Sequence, residues 1–156
     1  AISLHIPLNN ETKNMINLKE AQKIVEGCLK KAREEEMKPI TVAVLDTRGI
    51  LVSSAMEDNS ALIRPDIAFA KAWGCIGIGF SSRAIRDLYG AQPEQTHFFN
   101  AARAISGNKI APSPGGIIIK QGDDVIGAIG VSGDLPDHDE ICAIAGVEAA
   151  GFTYQI

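Results

Sequence analysis

The sequence predicts a single α+β domain built around an antiparallel sheet. Three observations lead to this fold class. The chain has 156 residues, the length of one domain. Two pairs of segments read as β-hairpins, and the segments before, between and after them have helical periodicity. The strands do not alternate with helices in a βαβ rhythm, so a doubly wound nucleotide-binding sheet is not expected.

The N-terminal part of the chain combines a strand with a long helix. Apolar residues alternate over residues 2–8, and Pro7 confines such a strand to a sheet edge or a subunit contact. The apolar spacing then changes to three and four residues. This change predicts a helix that starts after Asn17, forms a capping box with Glu20 and ends before Pro39.

Two hairpins follow from apolar, β-branched runs that are separated by turn residues. The first joins residues 40–45 to residues 50–53, and the second joins residues 117–120 to residues 125–131. Apolar residues alternate again over residues 152–156, which predicts a further edge strand at the C-terminus.

The remaining helices are predicted from start signals and apolar spacing. Pro65 stands in the first turn of a helix rich in alanine and glycine, whose small side chains allow close packing. Short helical patterns cover residues 82–89 and 94–105. Asp137 and Glu140 have capping-box spacing at the start of the last helix.

Composition excludes several classes of protein. The net charge of −4 and the isoelectric point near 5.3 argue against nucleic-acid binding, which depends on clustered Lys and Arg. No apolar run approaches the roughly 20 residues of a membrane helix, and no export signal is visible. The spacing of Cys28, Cys75 and Cys142 predicts buried thiols rather than disulfides or a metal site. A cytoplasmic protein without membrane or nucleic-acid partners is expected.

Two segments contain residues that are typical of binding sites. Glycines recur in residues 114–116 and 127–133 without phosphate-loop spacing, and they indicate either close packing or a flat ligand near the backbone. Carboxylates surround His138 in residues 134–140. This segment could bind a metal or donate a proton, or it could be a capped helix start at the surface.

Three further side chains are candidates for ligand contacts. His97 is followed by two aromatic residues, which fits either an axial haem ligand or a half-buried core residue. Arg64 and Lys71 lie seven residues apart and therefore on one helix face. They could hold a carboxylate or a haem propionate, or pair with Glu57 or Asp58.

The order of these motifs resembles the GlcG/HbpS family, which includes the C-terminal domain of PduO-type proteins and is sometimes labelled haem-degrading. The similarity rests on residues 42–49 (VAVLDTRG), 70–72 (AKA), 114–116 (PGG) and 127–133 (GAIGVSG), with Asp139 following closely. It covers residues 17–150 and leaves residues 1–16 as an N-terminal arm and residues 151–156 as a tail of the same domain.

The resemblance implies a central antiparallel sheet of about five strands with helices on both faces. It also implies homo-oligomers built from dimers, up to octamers, and haem binding in some members. A cofactor groove is expected between the two glycine-rich segments and the small-residue helix. Its predicted contacts are Arg64, Lys71, His97, Gly115, Gly116, Ser132 and Gly133.

Three hypotheses of function follow. The first is a binding protein for haem or another tetrapyrrole. The second is an enzyme acting on a small organic acid, with His138 as the catalytic acid or base and Asp134, His138 and Asp139 as ligands of a divalent metal. His138 stands where the family usually has Gln or Glu, which favours a specialised branch. The third is an oligomeric accessory protein without small-molecule chemistry.

Overall fold

The computed structural model describes residues 15–156. The strand predicted for residues 2–8 lies outside the described residues. The elements follow in this order: α1 (Leu18–Glu34), β1 (Thr41–Asp46), β2 (Leu51–Met56), α2 (Arg64–Ile78), α3 (Ser82–Ile85), α4 (Thr96–Ile105), β3 (Gly116–Gln121), β4 (Asp124–Ser132), α5 (Pro136–Ala149) and β5 (Thr153–Gln155). A π-helical turn (Arg86–Gly90) and a 3-10 turn (Pro93–Gln95) lie between α3 and α4. Within this range no helix has the length and apolarity to cross a bilayer.

The five strands form one antiparallel sheet in the order β2-β1-β4-β3-β5. Strands β1 and β2 form the first predicted hairpin, and β3 and β4 form the second. The two hairpins join through β1 and β4, which pair from Thr41 with Ser132 to Asp46 with Gly127. The predicted C-terminal edge strand is β5, which pairs with β3. The α+β fold with an antiparallel sheet is therefore confirmed.

Helices cover both faces of the sheet, as expected. Alternate residues of the central strands point to opposite faces, so each face has its own core. Helices α1 and α5 pack on the core that contains Val44, Ile117 and Ile129, and α2 packs on the core that contains Ala128 and Ile118. Cys28, Cys75 and Cys142 are buried and unpaired within these layers, which confirms the prediction for the thiols.

The helix starts follow the sequence prediction in α1 but not in α5. In α1 the Asn17 side chain accepts a hydrogen bond from the Glu20 amide, and the Glu20 side chain accepts one from the Asn17 amide. The capping box predicted for Asp137 and Glu140 is wrong. Helix α5 begins at Pro136 without a side-chain cap, and both carboxylates pair instead with Arg83 of α3.

Helix α2 lies directly on the backbone of β4. A Cβ atom at Gly130 would overlap the Ala68 carbonyl oxygen, and one at Gly127 would overlap the Leu45 carbonyl oxygen of the neighbouring strand. Glycine is therefore required at position 130 because no side chain fits between the strand and the helix.

We predict that Gly130→Ala lowers the free energy of unfolding by about 3 kcal/mol, because an added methyl group must push α2 away from the sheet. Urea denaturation measures this change. Gly90→Ala is the control, since its Cβ would make only ordinary contact with Pro112 at 3.6 Å. Equal stability of the two variants would contradict the close packing of α2 on β4.

Candidate functional site

The predicted cation Lys71 lies where α2, β4 and α5 meet, close to the loop of residues 133–135. Its Nζ atom donates a hydrogen bond to the Val131 carbonyl oxygen at 2.9 Å and lies 3.2 Å from Oδ2 of Asp139. The same carboxylate accepts hydrogen bonds from the backbone amides of Gly133 and Asp134. Lys71 thus pairs with Asp139 and not with Glu57 or Asp58, the carboxylates considered from the sequence.

This ion pair is closed to solvent. The side chains of Lys71 and Asp139 are only 3% and 1% exposed. Burial lowers the pKa of Lys71, and the neighbouring Asp139 carboxylate opposes this shift. Burial raises the pKa of Asp139, against the opposing effects of Lys71 and of the amides. Both groups have their partners within the protein, and Lys71 thereby links α2 to β4 through Val131 and to α5 through Asp139.

The predicted ligand-binding glycines surround the same ion pair. A Cβ atom at Gly115 would lie 2.8 Å from Nζ of Lys71, and φ at Gly115 is +129°. A Cβ atom at Gly116 would overlap the Lys71 carbonyl oxygen, and one at Gly133 would overlap the Pro39 carbonyl oxygen. Close packing accounts for these glycines, and their contact with a ligand stays a prediction.

Arg64 stands at the start of α2 near the end of β4. Its Nη1 atom donates a hydrogen bond to Oγ of Ser132 at 3.1 Å, and Ser132 is buried. None of the ion pairs formed within residues 15–156 includes Arg64. The guanidinium group is half-buried and retains the capacity to bind an anion.

His138 and Asp134 form a hydrogen-bonded pair in front of α5. Nδ1 of His138 lies 2.8 Å from Oδ1 of Asp134, and the imidazole is about half exposed. Hydrogen bonds from the backbone amides of Lys38 and Leu135, together with His138, lower the pKa of Asp134 to about 2. Over residues 15–156 no three His, Cys, Asp or Glu side chains converge to hold a metal. The catalytic and metal-binding roles of this segment stay predictions.

An open apolar groove lies between the C-terminal half of α2 and α4, some distance along α2 from Arg64. We call it the α2–α4 groove. Its volume is about 630 Å³. The residues that line it are Trp73, Gly77, Ile78, Tyr89, Phe98, Ala101, Ala102, Ile105, Ser106, Lys109 and Ile110.

The walls of the groove are aromatic and aliphatic. The rings of Tyr89 and Phe98 pack with centroids 5.2 Å apart and planes tilted by 42°. Phe98 is 53% exposed and Ile105 is 87% exposed, which is unusual for large apolar side chains. A small core that contains Ile85, Phe99 and Ile110 supports the groove from below.

His97 lies on α4 immediately before Phe98 and is exposed. A step of one residue turns a side chain about 100° around a helix, so His97 stands beside the groove rather than inside it. His97 thus lies next to this groove without lining it. The structure brings Lys71, Gly115, Gly116, Ser132 and Gly133 together at a separate, closed junction.

Sequence reasoning missed most of the groove. It selected His97 for its aromatic neighbours but did not select Trp73, Tyr89 or Lys109. The spacing of Phe98, Ala101, Ala102 and Ile105 is the signal that could have identified this wall, because it puts four apolar residues on one face of a helix. Arg83, which pairs with two carboxylates of α5, was also missed.

We predict that Lys71→Met lowers the free energy of unfolding by about 3–5 kcal/mol at neutral pH, because it leaves the Asp139 carboxylate buried without its cation. The pKa of Asp139 already lies above its ordinary value of 3.8, and loss of Lys71 raises it further. The destabilisation of the variant relative to the parent is therefore smallest near pH 4 and grows as the pH rises through the raised pKa of Asp139.

Urea denaturation between pH 4 and pH 8 measures this effect. Lys31→Met is the control, because the ion pair of Lys31 with Glu35 lies at the surface, where solvent screens it and its loss has little effect on stability. A Lys71→Met protein as stable as the parent at pH 8 would contradict the structural role of the buried pair.

Comparison with known proteins identifies the family. The family model described as haem-degrading protein HbpS-like matches residues 16–148. No curated protein matches the chain.

Solved structures share the fold at low sequence identity. The complex of PduOC with haem has a TM-score of 0.80 at 17% identity, over 91% of this chain and 99% of that one. Protein ORFY of Klebsiella pneumoniae has a TM-score of 0.79 at 22% identity, over 97% of both chains. A double mutant of Streptomyces reticuli HbpS has a TM-score of 0.73 at 19% identity, over 95% of this chain and 97% of that one. Because the family model matches residues 16–148, which are most of the chain, this chain belongs to the HbpS-like family.

Proposed function

We propose that this protein binds haem or a related tetrapyrrole, and that the ligand lies in the α2–α4 groove. The observation that carries the proposal is an open groove of about 630 Å³ that exposes large apolar and aromatic side chains. Membership of the HbpS-like family supports the ligand class. So does the haem bound by PduOC, a protein of the same fold.

The lining of the groove suits a flat, apolar ring system. A porphyrin buried there would remove the exposed surfaces of Phe98 and Ile105 from water, at about 25 cal/mol for each Å² of apolar surface. The rings of Trp73, Tyr89 and Phe98 offer faces and edges for contact with a conjugated ring. On α4 the small side chains of Ala101 and Ala102 leave space for the ring system on the opposite side of the groove.

Two kinds of polar group stand at the groove. His97 is the proposed axial donor, since its exposed imidazole is on the helix that forms one wall. Lys109 is the proposed propionate partner, because it lines the groove and carries a positive charge. Arg64 begins α2 nine positions before Trp73, about 13 Å away along the helix axis. At this distance Arg64 does not reach a ligand in the groove. Together with Ser132 it forms a second, separate place where a carboxylate could bind.

The test is a haemin titration of the purified protein, followed at the Soret band. We predict saturable binding that Ala101→Glu weakens by about tenfold or more, because the new carboxylate replaces apolar surface and repels the propionates. Ala104→Glu is the matched control, since Ala104 is exposed on the same helix but does not line the groove. Equal binding by both variants would contradict the proposed location.

The axial donor is tested in the same titration. We predict that His97→Ala shifts the Soret maximum of the bound haem and that His138→Ala, which removes an exposed histidine on α5, leaves the maximum unchanged. A shift caused by His138→Ala but not by His97→Ala would contradict the assignment. A shift caused only by Tyr89→Phe would transfer the role of donor to Tyr89.

A further inference from the structure

Lys109 rests on the floor of the α2–α4 groove. Its Nζ atom lies 5.5 Å from the centroid of the Trp73 ring, which is a cation–π contact. No ion pair formed within residues 15–156 includes Lys109, and the residue is exposed. The ammonium group thus covers the aromatic face that a planar ligand would use.

Two glycines hold the Trp73 ring in place. A Cβ atom at Gly77, one turn further along α2, would lie 2.6 Å from Cζ3 of the ring. A Cβ atom at Gly49, in the β1–β2 turn with φ of +75°, would lie 3.0 Å from its Nε1 atom. The indole therefore fits against backbone at both edges, and it can present a fixed face to the groove.

We propose that Trp73 and Lys109 form a recognition pair that selects planar conjugated ligands with a carboxylate at their edge. The ring of the ligand stacks on Trp73 and displaces the ammonium group of Lys109, which then pairs with the carboxylate. This inference rests on the proposed function and narrows its ligand class.

When the ligand binds, Lys109 exchanges its contact with Trp73 for an ion pair with the ligand, at little net cost in free energy. An exposed cation–π contact and an exposed ion pair are of similar strength, so Lys109 gives up one weak contact and gains another. A neutral planar ligand displaces the ammonium group without offering it a partner. The carboxylate therefore contributes selectivity between ligands of the same ring, and stacking contributes most of the affinity.

Fluorescence reports this binding directly, because Trp73 is the only tryptophan of the chain. The probes are protoporphyrin IX, which has two carboxylates and no iron, and its dimethyl ester, which has none. We predict that both quench Trp73 and that Lys109→Met weakens binding of the diacid about threefold while binding of the ester is not weakened, because the ester gains nothing from the ammonium group. Lys23→Met, at an exposed position of α1, is the control and leaves both affinities unchanged.

Gly77→Ala tests whether the position of the Trp73 ring against Gly77 matters for binding. The added methyl group must displace the indole, so we predict about threefold weaker binding of both probes and a shift of the Trp73 emission maximum. Gly74→Ala is the matched control on the same helix, because its Cβ would make ordinary contact with Ile85 and Ile110 at 3.4 Å. Equal effects of the two substitutions would overturn the role of Gly77.

The outcomes separate this inference from the proposed function. If haemin binds saturably in the Soret titration but neither porphyrin quenches Trp73, the recognition pair is overturned and tetrapyrrole binding stands. If Lys109→Met weakens the diacid and the ester equally, or neither of them, selection by Lys109 is overturned. If no tetrapyrrole binds at all, the proposed function and the recognition pair are both overturned.

Discussion

Helix α2 lies against the bare backbone of β4, and this contact determines the geometry on both sides of the helix. Gly130 leaves room for the carbonyl oxygen of Ala68, and the Gly115–Gly116 segment leaves room for Lys71. The Lys71–Asp139 ion pair then closes the junction, because a buried ammonium group needs a partner within the protein. The same carboxylate binds two amides of the loop before α5. Packing thereby accounts for the glycines of residues 127–133 and for the aspartate, Asp139, that follows them.

The α2–α4 groove depends on this fixed position of α2. Close packing on the sheet holds the inner face of the helix, so its C-terminal half presents Trp73 and Ile78 to the segment that follows. That segment folds into short helices around Ile85 and Phe99, and it leaves an apolar face of α4 open. Because α2 is held in place and the apolar face of α4 is open, a planar molecule can bind between them with little reorganisation of the protein.

Much of the fold could be predicted from the sequence, because it depends on local patterns. Asn17 and Glu20 marked the start of α1, and β-branched runs around turn residues marked both hairpins. The prediction of a capping box at Asp137 and Glu140 was wrong because Arg83, which is distant in sequence, pairs with both carboxylates. The groove was missed for the same reason: Trp73, Phe98 and Lys109 come from three segments that only the tertiary fold brings together. Spacing alone could not separate the buried Lys71 from an exposed cation.

The central claim is that a tetrapyrrole binds between α2 and α4 and not at the junction of α2 with β4. A crystal structure of the protein with bound haemin tests it most directly. We expect electron density for the porphyrin in the α2–α4 groove, with its ring against Trp73 and Phe98 and the Lys71–Asp139 pair intact. Density for the porphyrin against Arg64 and Ser132, with the groove unchanged, would contradict the account.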